Sequence, residues 1–136
     1  MIKAVIFDFF GVLEERGHAN QPLLDYIKQN LAPKYKLGII SNSSGGWLGS
    51  VLSESDANLF EQIVLSGKIG LAKPQTEIFE HAAKELGVEP QQCVFVDDSP
   101  MHCLGAQDAG MQAILYENFE QFKRDLEELL PASTDN

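Results

Sequence analysis

The sequence predicts an α/β fold: a three-layer doubly wound sandwich built on a five-stranded parallel sheet of order 3-2-1-4-5. Three observations lead there. Short apolar runs alternate with amphipathic segments almost from end to end, which is the pattern of βαβ units. The apolar runs are short and nearly free of polar residues, as parallel strands covered on both faces require. The amphipathic segments carry the start and stop residues of helices. Right-handed crossovers then favour the stated order. At 136 residues the chain suffices for one domain with a sizeable core and is short for two, so residues 1–136 read as a single domain.

The first strand is expected at 3–8 (KAVIFD). A helix follows over 20–31, where Asn20 can cap and Leu23, Leu24, Ile27 and Leu31 share a face. The second and third strands are 36–41 (KLGIIS) and 62–65 (QIVL). The helix 74–86 places Pro74 at a first-turn position, stacks Ile78, Ala82 and Leu86, and stops at Gly87. The fourth strand, 92–97 (QCVFVD), leads into a helix that begins Ser99-Pro100 and ends at Gly110, and the fifth strand is 111–115 (MQAIL). Asn118 with Gln121 resembles a capping box for the last helix, whose Phe119, Phe122, Leu126 and Leu129 make an apolar stripe beneath an acidic outer face. Residues 131–136 (PASTDN) read as a frayed tail.

Composition narrows the functions. The net charge is -10, with 10 Lys and Arg against 20 acids, which argues against a nucleic-acid partner held by a basic surface. No apolar run approaches the roughly 20 residues of a membrane span, so no membrane partner is expected. The N-terminus reads as a core strand where a signal peptide would have its charged and apolar regions, giving an expectation of a cytoplasmic protein. Cys93 and Cys103 lack CxxC spacing and accompanying histidines, so two buried reduced thiols are expected ahead of a disulfide or zinc site.

In the order 3-2-1-4-5 the first strand lies between the second and the fourth, and neighbouring strands are only about 4.8 Å apart. Their carboxyl ends carry Asp8, then Ser41 with Asn42, then Asp97-Asp98. Lys73 begins the next helical segment and can reach the same crevice. A carboxylate, a hydroxyl, a cation and two further acids suit phosphoryl transfer with a divalent metal. Each residue also has a plainer reading. Asp8 can cap a strand-end turn, Ser41 and Asn42 can open a helix, Lys73 can be solvated, and Asp97-Asp98 can be acids at a helix N-terminus. His18 and His102 read as exposed histidines, Glu14 and Glu15 as solvated, and Trp47 as a packing residue.

Taken together, "VIFDFFGV", "GIISNS", "GLAKPQTEIF" and "CVFVDDS" resemble, in order, the four motifs of the haloacid dehalogenase-like (HAD) superfamily, over roughly residues 1–116. Most of that superfamily are magnesium-dependent phosphatases. The resemblance implies Asp8 as the nucleophile that forms an aspartyl-phosphate, Ser41 as a phosphoryl hydrogen-bond donor, and Lys73 as the group that offsets negative charge. It implies that Asn42 and Gly11 contact substrate. Mg²⁺ would be held by Asp8, the Phe10 carbonyl and Asp98, with Asp97 direct or acting through water. The implied substrate is a phosphorylated small molecule or macromolecule.

Two departures stand out. Where family phosphatases have a second aspartate two positions after the nucleophile, this chain has Phe10, which keeps the carbonyl but removes the acid-base group. Between Asp8 and Ser41, where many relatives insert a lid domain, "LEERGHAN" and one helix take the space. An open site follows, with a macromolecular substrate or a second copy of the chain, in a homo-oligomer, as the cover. A catalytically impaired interaction module on the same fold is the alternative reading. A haloacid dehalogenase ranks below both, because those relatives use a lid and no double-aspartate metal site. A response-regulator receiver is excluded by motif order, since its paired acids follow the first strand.

Overall fold

The computed structural model describes residues 1–130; the expected tail at 131–136 lies outside the described residues. Five strands form one parallel sheet: β1 (Ala4–Phe7), β4 (Lys36–Ser41), β5 (Gln62–Leu65), β6 (Cys93–Asp97) and β7 (Gln112–Leu115). Their order is β5-β4-β1-β6-β7, and counted in chain order among themselves they run 3-2-1-4-5. Two further strands, β2 (Glu14–Glu15) and β3 (His18–Ala19), make a small antiparallel hairpin between β1 and the first helix.

The sheet separates two apolar layers because residues alternate faces along a strand. In β1, Val5 and Phe7 join the cluster that includes Leu23, Leu24, Ile27, Phe122 and Leu126. Ala4 and Ile6 join the other, with Ile78, Phe79, Ala82, Leu86 and Ala106. Helix α1 (Gln21–Tyr26), continued by a π-helical turn over Ile27–Leu31, and α7 (Phe119–Leu129) therefore cover one face. Helices α5 (Thr76–Leu86) and α6 (Pro100–Asp108) cover the other. Phe122 and Leu126 of the expected α7 stripe are fully buried, with Phe119 and Leu129 packed at the margin.

Local signals account for most boundaries. The Asn118 side chain accepts from the Gln121 amide at 2.8 Å and Gln121 Oε1 accepts from the Asn118 amide, so the capping box is formed. Gly87 ends α5 with φ 76°, and the Lys36 ammonium donates to the Leu86 carbonyl at 2.8 Å, meeting a carbonyl that the helix leaves without a partner. Asn20 caps α1 more weakly, at 3.5 Å to the Leu23 amide. The same side chain donates to the Val12 carbonyl and the Tyr116 hydroxyl, tying the hairpin to the end of β7. Cys93 and Cys103 are buried free thiols, as expected.

One expectation of the fold is corrected. Pro74 does not occupy the first turn of α5, which starts at Thr76 with Gln75 as its cap; the preceding peptide, Lys73-Pro74, is cis. Between Asn42 and Glu61 the chain forms two four-residue helices, α2 (Leu48–Val51) and α3 (Glu54–Ala57), and α4 (Ser66–Ile69) follows β5. These turns are too short to show an apolar period in sequence.

The Pro74 turn is held from beneath by α6. A Cβ on Gly105 would lie against the Pro74 carbonyl oxygen and 2.8 Å from its Cβ. Gly105→Ala is therefore expected to destabilise the fold by about 1–3 kcal/mol, as overpacking does, despite the better helix propensity of alanine. Urea unfolding would measure it; an unchanged or raised midpoint would show that the turn can yield.

Candidate active site

Asp8 leaves β1 one residue after the last paired position, Phe7, which lies opposite Ile39 of β4 and Val96 of β6. Its amide donates to the Val96 carbonyl at 2.8 Å. Ser41 ends β4 and Asp97 ends β6. The parallel register therefore delivers all three side chains to one edge, as the strand order predicts.

Lys73 joins them. Its ammonium group donates to Asp8 Oδ1 at 2.7 Å, to Asp97 Oδ2 at 2.9 Å and to the Ile40 carbonyl at 3.0 Å. Those three bonds use the donor capacity of the group. Lys73 is 4% exposed and Asp97 is fully buried, so the ion pairs lie outside bulk solvent and are weakly screened. Asp8, Asp97 and Asp98 each bring a carboxylate oxygen within 4.8 Å of one another.

The electrostatics follow from that crowding. The Asp8 carboxyl is held at about 7, well above its ordinary 3.8: burial raises it most, the Lys73 ammonium opposes the rise, and the Asp97 charge adds to it. Asp98 is also raised, by burial first and then by its hydrogen bond to Asp97 and the charge there. Three carboxylates face one ammonium group, an excess of anionic oxygen. Such a donor set fits a hard divalent cation.

The individual placements sharpen the reading. Asp97 has both oxygens engaged: Oδ1 accepts from the Ser99 amide at 2.9 Å, and Oδ2 takes Lys73 and lies 3.0 Å from His102 Nδ1. Asp98 is exposed and lies over Gly11, where an added Cβ would collide with its carboxylate. Gly11 has φ +84°, a second reason for glycine at that position. Phe10 is 44% exposed. Its ring meets Phe9 edge-on at 5.0 Å and Trp47 at 4.6 Å between centroids.

Ser41 is buried, with its hydroxyl 3.1 Å from that of Ser43. The Trp47 indole N–H donates to the Ser43 hydroxyl at 2.9 Å. Asn42 reaches across to Lys73: its side-chain oxygen accepts from the Lys73 amide at 2.9 Å and its amide nitrogen donates to the Lys73 carbonyl at 3.1 Å. This two-point clamp sets where the Lys73 side chain begins. Sequence reasoning gave Asn42 a contact to substrate and missed the clamp.

His102 is corrected from an exposed histidine to a half-buried one hydrogen-bonded to Asp97. A signal for it exists in the sequence. It lies one turn into a helix that starts directly after the strand-end acids, and helical side chains tilt back toward the N-terminus. Glu14 is likewise more than a solvated acid, since its carboxylate accepts from the Gly17 amide at 2.6 Å and braces the hairpin turn. His18 and Glu15 are exposed on the hairpin, and Trp47 is half-buried against the core, as expected.

This fold, with acids gathered at the carboxyl edge of β1 and β6 and a buried lysine bridging them, defines a class. The chain belongs to the haloacid dehalogenase-like hydrolases, whose family model matches residues 14–110. It is 36% identical over 109 residues to the glyceraldehyde 3-phosphate phosphatase of Methanothermobacter thermautotrophicus, an alignment covering 78% of this chain and 46% of that one. An uncharacterized protein from Corynebacterium glutamicum shares the fold with TM-score 0.78 and 28% identity, over 95% of both chains. A HAD family enzyme from Bacteroides thetaiotaomicron, solved with magnesium and inorganic phosphate, superposes with TM-score 0.74 at 18% identity, over 86% of this chain and 95% of that one. The chain spans about half the length, or less, of the first curated relatives it matches. Among the described residues no helix is long and apolar enough to cross a membrane.

Proposed function

We propose that the chain is a magnesium-dependent phosphatase that works through an aspartyl-phosphate on Asp8. One observation carries the reading: a single buried ammonium group, Lys73, bonded to both Asp8 and Asp97 beside a third carboxylate. The phosphatase relative and the magnesium- and phosphate-bound structural neighbour support it.

Lys73 holds Asp8 through Oδ1, leaving Oδ2 to attack phosphorus. The bond to the leaving oxygen breaks as the acyl-phosphate forms, and water then cleaves that acyl-phosphate to release inorganic phosphate and regenerate the carboxylate. Asp8, Asp98 and the Phe10 carbonyl would hold Mg²⁺, with Asp97 orienting Lys73 from behind. Bound there, the cation would offset repulsion between an anionic nucleophile and an anionic substrate. Ser41 donates to a phosphoryl oxygen. Trp47 donates to Ser43 Oγ, 3.1 Å from Ser41 Oγ; with Ser43 as the donor of that hydroxyl pair, the Ser41 proton is left for substrate.

Phe10 removes the group that would protonate the leaving oxygen. General acid catalysis is worth roughly 10²- to 10⁴-fold, so turnover should fall steeply as the leaving alcohol becomes less acidic. Phe10→Asp should raise activity on alkyl phosphates by about 10-fold or more and change aryl phosphates much less. A panel of esters assayed with Mg²⁺ tests this. A rate independent of leaving-group acidity would contradict it.

A second reading has its own support in Phe10 and the open crevice: a catalytically impaired module that retains metal or phosphate binding. Mg²⁺ binding without Asp8-dependent turnover on any ester in the panel would favour it.

A further inference from the structure

The rim of the crevice is aromatic where an acid would otherwise stand. Phe10 follows Asp8 by two residues and precedes Gly11, the backbone on which the Asp98 carboxylate rests. Trp47 lies on the other flank, joined to Ser41 through Ser43. The two rings meet at 64°, and Phe9 closes the cluster from below: it is fully buried, stacked on Trp47 at 3.9 Å and 28°, and edge-on to Phe10 at 89°. Phe10 thus packs against two rings while nearly half of it remains open to solvent.

From this geometry we infer that Phe10, backed by Trp47, is a specificity-determining residue that stacks on the ring of an aryl phosphate, whose phosphoryl group reaches Asp8 and Ser41. The inference rests on the phosphatase reading and names its substrate class. Three features favour that occupant over an alkyl or sugar phosphate. Phe10 leaves 44% of its surface exposed at the rim, and offset or edge-to-face ring pairs are favourable beyond the area they bury. No carboxylic acid is present at position 10 to protonate a leaving alkoxide, whereas a phenol, with a pKa of about 10, leaves as its anion. Between Asp8 and Ser41, where many relatives insert a lid domain, the chain has only the hairpin β2–β3 and the helix over 21–31, so contacts to the leaving group fall to the rim.

Chemically, the phosphorus–oxygen bond to the ring breaks as Asp8 Oδ2 bonds to phosphorus. The electron pair leaves on the phenoxide oxygen, which takes its proton from water.

The test separates recognition from turnover. Phenylphosphonate and cyclohexylphosphonate carry the same phosphoryl end and rings of similar size, but only the first is planar. Calorimetric titration of the wild-type chain in excess Mg²⁺ should give phenylphosphonate about two- to tenfold tighter binding. Phe10→Leu, an exposed and conservative change, should remove the difference. Trp47 is the sole tryptophan, so its emission should respond to phenylphosphonate and much less to cyclohexylphosphonate.

Equal affinities in the wild-type chain overturn the inference even if the variant fails to fold. A preference that survives Phe10→Leu overturns the assignment to Phe10, and a silent Trp47 overturns the location. If phenylphosphonate is preferred as described while no phosphate ester is hydrolysed, ring recognition stands and the phosphatase reading falls.

Discussion

Asp8→Asn is expected to abolish phosphate-ester hydrolysis, by at least about 10³-fold in kcat, because an amide oxygen is a poor nucleophile and cannot form the acyl-phosphate. The same change should make the chelated protein more stable near neutral pH. Burial raises the folded Asp8 carboxyl to about 7 from the ordinary 3.8, so the folded chain binds that proton more tightly than the unfolded one. The resulting stability is fully present below about pH 4 and is lost as pH rises through 7. Asparagine does not titrate. In chelator, the Asp8→Asn protein should therefore exceed wild type at pH 7 by on the order of a few kcal/mol, with the gap closing toward pH 4. Urea unfolding at the two pH values measures it. A variant that retains hydrolysis removes Asp8 from the chemistry. A variant less stable than wild type at pH 7 would show that Lys73 outweighs burial.

Lys73→Met is expected to have the opposite effect on stability and the same effect on activity. Methionine preserves much of the apolar stem but leaves Asp8 and the fully buried Asp97 facing each other without a counter-charge. Removing one partner of a buried ion pair typically costs about 3–5 kcal/mol, a large part of the stability of a small domain. The loss should shrink at acidic pH, where Asp8 binds a proton. A loss below about 1 kcal/mol at pH 7, read from the urea midpoint, would mean that water or a rearranged side chain replaces the ammonium group.

Much of this architecture was legible because β strands covered on both faces must be apolar throughout. The runs KLGIIS and QIVL match β4 and β5 residue for residue, and the other three strands differ by one or two residues at their ends. Capping chemistry was equally local, as Asn118–Gln121 and Gly87 show. The turns over 48–57 were not legible, since a single helical turn carries no period. Pro74 misled for a related reason: a proline before an amphipathic run suits both a helix start and a preceding turn, and the contact with Gly105 selects the turn.

The order of apolar runs alone brought Asp8, Ser41 and Asp97 to one edge, because parallel pairing with right-handed crossovers leaves few ways to arrange five strands. Which atoms meet was decided only by tertiary packing. Asn42 grips the Lys73 backbone, His102 and Ser99 occupy Asp97, and Phe10 packs against both Phe9 and Trp47. Those contacts join residues tens of positions apart, or depend on rotamers that the surrounding core selects. Hydrophobic periodicity reports which side of an element faces inward, but it carries no record of the hydrogen-bond partner waiting there.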